Sequence, residues 1–341
     1  MRHIVLSLII IMGISIQGQQ KTYVPDDDFE ALLESYNMGD GIANNDSVTT
    51  ANITAVDSLN IFNNIITDLT GIEDFISLKY LDCHDNSLSN LDFSNNPNLT
   101  ELICFENLID TIIIGNCMNL EYLDLQDNLV ETIVVNNCLK LQTLNLSDNL
   151  IEYVDVSQNS ALKIFLCYDN YLSSLDLSTN ISLSEVDLEN NDLVCLNLKN
   201  GKNTNLIELW TQGNSNLSCI EVDDSTYSNL NWINNSNFYF DPNHFFSDNC
   251  NYSSFCFNNP TATITNNKTN LTVYPNPTSN IVNITLDNYS GKINLMIYDF
   301  TGKLIRSTNN RSLSIEDYPR GIYLIKVSYG DVIKNIKLVK E

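Results

Sequence analysis

Side chains able to do chemistry in this 341-residue chain are mostly carboxylates: 42 Asp and Glu stand against 17 Lys and Arg and 3 His, a formal charge of −25. General base catalysis has little to draw on, because His84 and His244 are the only histidines beyond residue 20, and no nucleophile beside a base can be picked out. The patterns H-E-x-x-H and G-x-S-x-G and a Gly-rich phosphate loop are absent. Nine cysteines include no C-x-x-C pair, which argues against zinc. Glycoside hydrolysis needs one defined carboxylate pair, and none stands out. No catalytic residue is therefore assigned, no cofactor is required, and the chain is not expected to be an enzyme. Carboxylates can still hold a hard cation, calcium before zinc, or meet a cationic partner. Asp85, Glu106, Asp127, Asp148 and Asp169 recur every 21 residues, and stacked about 5 Å apart they would repel by about 0.8 kcal/mol per neighbouring pair in water. Compensation comes either from local backbone bonds in a turn or from bound calcium or a basic partner; Asp223 and Asp224 carry the same ambiguity. Nucleic acid is excluded as a partner, since no excess of cations is present to replace phosphate counterions.

The elements that carry these residues follow from the period. Leu81, Leu102, Leu123, Leu144, Phe165 and Val186 are separated by five intervals of 21 residues, and Leu209 follows after 23. Leu78, Leu99, Leu120 and their successors precede them by three; Cys83, Cys104, Leu125, Leu146, Cys167 and Leu188 follow by two. An asparagine file runs through Asn86, Asn107, Asn128, Asn149, Asn170, Asn191 and Asn214. With Leu59, Ile61 and Asn64 this makes about eight coils. One coil cannot bury its apolar face alone, so coils stack and their short strands pair into one parallel sheet. The asparagine amide sits where the chain leaves the strand and bonds the freed backbone groups. A second apolar pair on the return side, such as Leu91/Phe93 and Ile133/Val135, is spaced by two and predicts extended backbone there too.

Alternation sends three files onto the concave surface. They are Tyr80, Glu101, Tyr122, Thr143, Ile164, Glu185 and Glu208; Asp82, Ile103, Asp124, Asn145, Leu166, Asp187 and Trp210; and His84, Phe105, Gln126, Ser147, Tyr168, Glu189 and Gln212. The candidate ligand-binding residues are Tyr80, Asp82, His84, Phe105, Tyr122, Asp124, Tyr168, Asp187 and Trp210. Exposed aromatics here serve cross-strand packing or anchor a protein or glycan ligand. Cys83, Cys104 and Cys167 fall in the inward file and are expected as core thiols, with a Cys83–Cys104 bond as the alternative. Cys117 and Cys138 hold one equivalent position, within disulfide reach on adjacent coils. Cys195 and Cys219 are likewise equivalent, and Cys219, Cys250 and Cys256 frame the end of the repeats.

The pattern L-x-x-L-x-L-x-x-N-x-L resembles secreted leucine-rich-repeat proteins of the flavobacterial type, related in pattern to internalins. Residues 23–34, YVPDDDFEALLE, look like that family's N-terminal cap with a short helix after Pro25, and residues 65–75 resemble its first coil. Residues 217–224 with Trp232 and Cys250 resemble its C-terminal cap, in which matching cysteines staple the last coil; their connectivity stays open. Caps are needed because an open solenoid end exposes core and unpaired strand edge.

Charge marks a further boundary. Residues 22–267 hold 5 basic and 36 acidic side chains, and residues 271–341 hold 9 and 6. Short strands after a polar linker suit a small Ig-like β-sandwich. The ordered motifs YPNP, YDFTGK, PRGIYLIKV and KNIKLVK resemble the type IX secretion system C-terminal sorting domain. The matching positions are Pro275, Asn276, Pro277, Gly302, Gly321, Tyr323 and Lys337. The resemblance implies recognition by the type IX machinery and release or surface attachment. At the other end, a cationic start and an apolar run from Ile4 to Ile16 read as a secretory signal, since about 13 residues fall short of the roughly 20 that span a bilayer; no transmembrane segment is expected in the mature chain. The expected organisation is a mainly β chain: signal peptide 1–18, N-terminal cap 19–58, solenoid 59–222 with a parallel concave sheet, C-terminal cap 223–258, linker 259–270 and sorting domain 271–341. The function expected is binding or adhesion at the concave face of an exported protein. Polysaccharide capture and a purely structural envelope role are the alternatives.

Overall fold

Each of eight laps of the chain gives three residues, and a ninth gives two, to one continuous parallel sheet. The computed structural model describes residues 20–252 and 256–257, and in the C-terminal part residues 271–274, 278, 280–286, 293–298, 303–329 and 332–340. The expected signal peptide, the linker, Pro275, Asn276, Pro277 and Gly302 lie outside the described residues. Two compact units divide after Phe257.

In the first unit nine inner strands pair in chain order, from Ser58–Asn60 to Phe238–Tyr239. The register follows the leucine file: Leu59 pairs with Leu81, Leu102 with Leu123, Phe165 with Val186 and Leu209 with Phe238. Leu81, Leu102, Leu123, Leu144 and Val186 are wholly buried, because one face of each strand turns into the coil and stacks on its neighbours. The ninth strand escaped the sequence reading: the helix Ser225–Asn231 is inserted between it and the eighth and hides the period.

The return side is less regular than the sequence predicts. Asn90–Asp92 pairs with Thr111–Ile113, and Ser174–Asp176, Cys195–Asn197, Cys219–Glu221 and Phe245–Ser247 form a four-stranded parallel sheet. Between these sheets, residues 132–136 and 153–157 bury Val135 and Val156 without forming strands. Burial holds the alternation there, together with side-chain amides of the next coil that donate to the Val135 and Val156 carbonyls.

The N-terminal cap combines an antiparallel pair, Lys21–Tyr23 with Ser47–Thr49, and the helix Asp27–Ser35. Asp26 caps that helix: Oδ1 accepts from the N–H groups of Asp28 and Phe29 at 3.1 and 2.9 Å. Its other oxygen accepts from Thr67 N and Oγ1, both at 2.8 Å, and so ties the helix to the first coil. Glu30 and Glu34 shape the loop that follows, accepting from Asn45 and Asp46 and from Asp40 and Gly41 respectively. A Cβ at Gly39 would lie 2.0 Å from the Glu34 carboxyl, so a larger residue there would have to displace that side chain from the loop it shapes.

At the far end Trp232 is buried between Phe238 and Phe246. Disulfides join Cys195 to Cys256 and Cys219 to Cys250, with Cα separations of 5.6 and 5.8 Å. The two equivalent cysteines are therefore stapled to the covering segment. The hydroxyl of Tyr252 lies 2.7 Å from the carbonyls of Leu196 and Cys219 and closes the same edge.

The second unit has two antiparallel sheets, one of Leu271–Tyr274, Ile281–Leu286 and Ser312–Ser314, the other of Leu304–Thr308, Ile293–Tyr298, Gly321–Tyr329 and Val332–Lys340. Their shared core includes Val282, Ile284, Leu295, Ile297, Ile325 and Leu338. Gly321 opens the long strand, Lys337 pairs with Leu324, and the buried Tyr323 donates to Pro319 O at 2.7 Å. Leu304–Thr308 and Ser312–Ser314 carry too few apolar residues to have been found from sequence.

Candidate functional site

The asparagine file supplies the framework. Asn149 is typical: its Nδ2 donates to Leu125 O of the preceding coil at 2.9 Å and to Leu146 O of its own at 3.1 Å, while Oδ1 accepts from Val130 N at 2.9 Å. Asn107, Asn128, Asn170 and Asn191 repeat the arrangement. A second file, missed in the sequence, lies on the other side of the coil. Nδ2 of Asn96, Asn159 and Asn180 each bridges two carbonyls, 24 and 21 residues earlier. Cys117 and Cys138 occupy this same file. Their thiols point at Phe93 O and Ile114 O, at 3.8 and 4.0 Å, and do not bond each other. Equivalent residues on stacked coils have parallel side chains, so these two aim side by side at the preceding coil, and the disulfide reach inferred from spacing is not used. Cys83, Cys104 and Cys167 are buried thiols of the core, with the sulfurs of Cys83 and Cys104 3.0 Å apart.

On the concave face the structure corrects the sequence in one respect. Asp82, Asp124 and Asp187 face that side, but they are only 7, 9 and 8% exposed. Each folds back onto its own strand end and accepts from the N–H two residues on, at 3.4, 3.1 and 3.0 Å. The hydroxyls of Tyr80 and Tyr122 lie over the first two, at 3.5 and 3.2 Å from a carboxylate oxygen. Long neighbours on a tightly stacked sheet cover short side chains. The aromatics are correspondingly half-buried, not exposed, and this holds for Tyr80, Phe105, Tyr122, Tyr168 and Trp210 alike.

These groups are locked together. His84 lies flat between Phe62 and Phe105, with ring centres 4.8 and 4.3 Å away, and its Nδ1 is 2.5 Å from Asp82 Oδ1. Gln126 reaches across a coil to the Tyr168 hydroxyl at 2.7 Å and to Asp148 at 3.2 Å. Trp210 meets Tyr239 edge to face, and its indole N–H is buried without a partner among the described residues. Phe62 and Tyr239 extend the predicted files at both ends: Phe62 stands 22 residues before His84, where the first coil's register points, whereas Tyr239 pairs with Trp210 across 29 residues, beyond the reach of the period.

Burial and crowding set the charge. Burial pushes the Asp187 carboxyl up to about 6, aided by the nearby carboxylates of Glu189, Glu208 and Asp169 and opposed by the Glu189 N–H. Asp124 and Glu189 are raised chiefly by burial as well. Tyr122 and Tyr168 are pushed up to about 12 by burial, then by Asp124 and Asp148. The face is thus anionic and holds protons more tightly than free side chains do.

The acidic file Asp85, Glu106, Asp127, Asp148 and Asp169 sits in left-handed backbone, with φ between 50° and 54°. Asn63, Asn190 and Gly213 occupy the same place in other coils. Asn, Asp and Gly are the types that tolerate this conformation, so backbone geometry accounts for the file apart from Glu106. Three carboxylates within 4.8 Å of one another occur in the cap instead, at Asp27, Glu30 and Asp46, where Glu30 already accepts two backbone N–H groups. Asp223 accepts from Gly201 and Asn203, and Asp224 caps the helix Ser225–Asn231.

Among the described residues no helix is long and apolar enough to cross a membrane. No curated protein matches the chain. Solved structures similar to it include the functional domain of InlJ from Listeria monocytogenes, which includes a cysteine ladder: identity is 19%, the TM-score 0.30, and 94% of this chain and 99% of that one are covered. Internalin C2 from the same organism is 20% identical with a TM-score of 0.39, over 52% of this chain and 88% of that one. The solenoid rests on its own repeat and hydrogen bonds, not on these likenesses. Residues 272–341 match the family described as secretion system C-terminal sorting domain, which marks the chain for export across the outer membrane to the cell surface or beyond. A leucine-rich-repeat solenoid and a segment matching secretion-system sorting domains are thus joined in one polypeptide.

Proposed function

We propose that this is an exported binding protein that uses the concave face of its solenoid for protein–protein interaction or adhesion. The observation that carries the reading is the hydrogen-bonded, ring-stacked surface on a nine-stranded sheet, already rigid before any partner arrives. Such a surface loses little side-chain freedom on association. Its carboxylates select a partner with basic groups, and Tyr80, Tyr122 and Tyr168 supply apolar area beside them. Polysaccharide capture is the weaker reading: both faces of His84 and one each of Phe62 and Phe105 are covered by other rings, which leaves fewer flat faces for sugars. Calcium along the acidic file stays a subsidiary proposal, tested by the same experiment. The full chain is immobilised and titrated with panels of basic proteins and polysaccharides, with and without calcium. Expected is protein binding that weakens with salt and falls at least tenfold in Tyr80→Ala/Tyr122→Ala. Unchanged binding by that variant, or salt-insensitive binding confined to polysaccharides, overturns the reading.

A further inference from the structure

The flank beside the inner sheet carries an apolar stripe that the fold does not require. In each coil the residue two places after the ladder asparagine is buried: Ile109, Val130, Ile151 and Leu172. The residue between them points outward, and there stand Leu108, Leu129, Leu150 and Tyr171, exposed by 53, 45, 36 and 52%. Other coils have Ser87 and Asp192 at this place, so the backbone tolerates polar residues and four consecutive coils depart from them. The stripe is rigid, because each of the four donates its N–H to the preceding coil: Leu108 to Leu88 O, Leu129 to Ile109 O, Leu150 to Val130 O and Tyr171 to Ile151 O, at 2.9 to 3.0 Å. The exposed side chains amount to on the order of 300–400 Å² in one band, a size that on soluble proteins often marks an interaction site.

Acidic groups border it on both sides. Two residues before each stripe member lies the left-handed file, from Glu106 to Asp169; two residues after stand the exposed Asp110, Glu131 and Glu152. We propose that this flank docks an amphipathic helix of a partner protein, with an apolar spine on the stripe and Lys or Arg along both edges. Spacing fits that occupant: stacked strands repeat every 4.8 Å or so and a helix advances about 5.4 Å per turn, so one helical turn meets one coil across all four. Charge disfavours the other occupants. A second copy would bring like-charged borders together, and an anionic membrane surface would be repelled. The site is separate from the concave face and does not depend on the reading proposed for it.

The test uses the full chain and a synthetic amphipathic peptide of about 15 residues, four helical turns, with a leucine spine and lysine flanks, beside a glutamate-flanked version. Expected is binding of the lysine peptide, weakened at least tenfold in Leu108→Ser/Leu129→Ser/Leu150→Ser and unchanged in Tyr80→Ala/Tyr122→Ala. Equal thermal midpoints for the wild-type chain and the serine variant confirm that it folds; if it unfolds, Leu129→Ser alone, expected to weaken binding at least threefold, replaces it. The proposal is overturned by no binding of the lysine peptide, by equal binding of the glutamate peptide, or by loss of binding in the tyrosine variant only. It is equally overturned if the stripe instead drives dimers or adhesion to anionic vesicles, either of them abolished by the serine changes.

Discussion

Asp187 shows how a single residue in this fold can work against stability. Its carboxyl is buried on the concave side, and its folded value of about 6 lies above the ordinary 3.8. Between those two values the folded state binds the proton and the unfolded chain does not, so this group's contribution to stability falls as pH rises from about 4 to 6 and stays low above that. Asn145 holds the same place two coils earlier, and its Oδ1 accepts from Ser147 N at 3.1 Å just as Asp187 accepts from Glu189 N. Asp187→Asn should therefore keep the hydrogen bond and remove the charge. Discounted for partial solvent screening, the expected gain is about 1 kcal/mol at pH 7.5, vanishing near pH 3.5. Urea unfolding of both proteins at the two pH values checks it, and a destabilised variant at pH 7.5 would count against burial as the cause. The sequence placed this aspartate in the correct file but left it wet. Alternation gives the side of a sheet, not how deeply a short side chain sinks beneath its neighbours.

Among the elements, the entry helix depends on one carboxylate more than on its own propensity. Asp26 caps the helix and grips Thr67 and Asp68 of the first coil. Burial raises its carboxyl, but the hydrogen bonds from Thr67, Phe29 and Asp68 outweigh this and bring it below the usual value. The stability it provides is present above the unfolded value near 4 and is lost as pH falls through the folded one. Asp26→Ala should cost about 2 kcal/mol, a full helix cap plus the tie to the coil. The loss should appear as faster amide exchange in residues 27–35 before the solenoid opens; uniform exchange over both regions would contradict a local role. The helix itself was expected after Pro25 from the resemblance of residues 23–34 to a known N-terminal cap, whereas the grip on Thr67 spans 41 residues and leaves no local trace. The ninth inner strand was illegible for a related reason, an inserted helix that breaks the period.

For the whole molecule, nine cysteines divide by their place in the spiral. Five lie in buried files and stay reduced, and four hold the C-terminal cap across 61 and 31 residues. Intact mass after alkylation should show two disulfides, with five thiols reacting only in denaturant. Reduction should destabilise the first unit by about 3–5 kcal/mol, a range set by loops of this length, with the last coils opening first. A third disulfide between Cys117 and Cys138 would contradict the place given to those two thiols in the second file, since they could not then face the carbonyls of the preceding coil.

Periodicity in the chain was sufficient to determine the coil, the inward files and the asparagine ladder, because a stacked repeat turns sequence position directly into burial; the two caps lie outside the period and were expected only from the resemblance of residues 23–34 and 217–224 to those of known repeat proteins. The C-terminal motifs likewise announced the sorting segment in advance of the family match at residues 272–341. Only the tertiary structure decided which cysteines meet, that the concave aspartates are covered, that the acidic file sits in left-handed backbone, and that a band of leucines faces out beside it. Each of these depends on where side chains of different coils come to lie relative to one another, and a repeat fixes equivalence between coils without fixing contact.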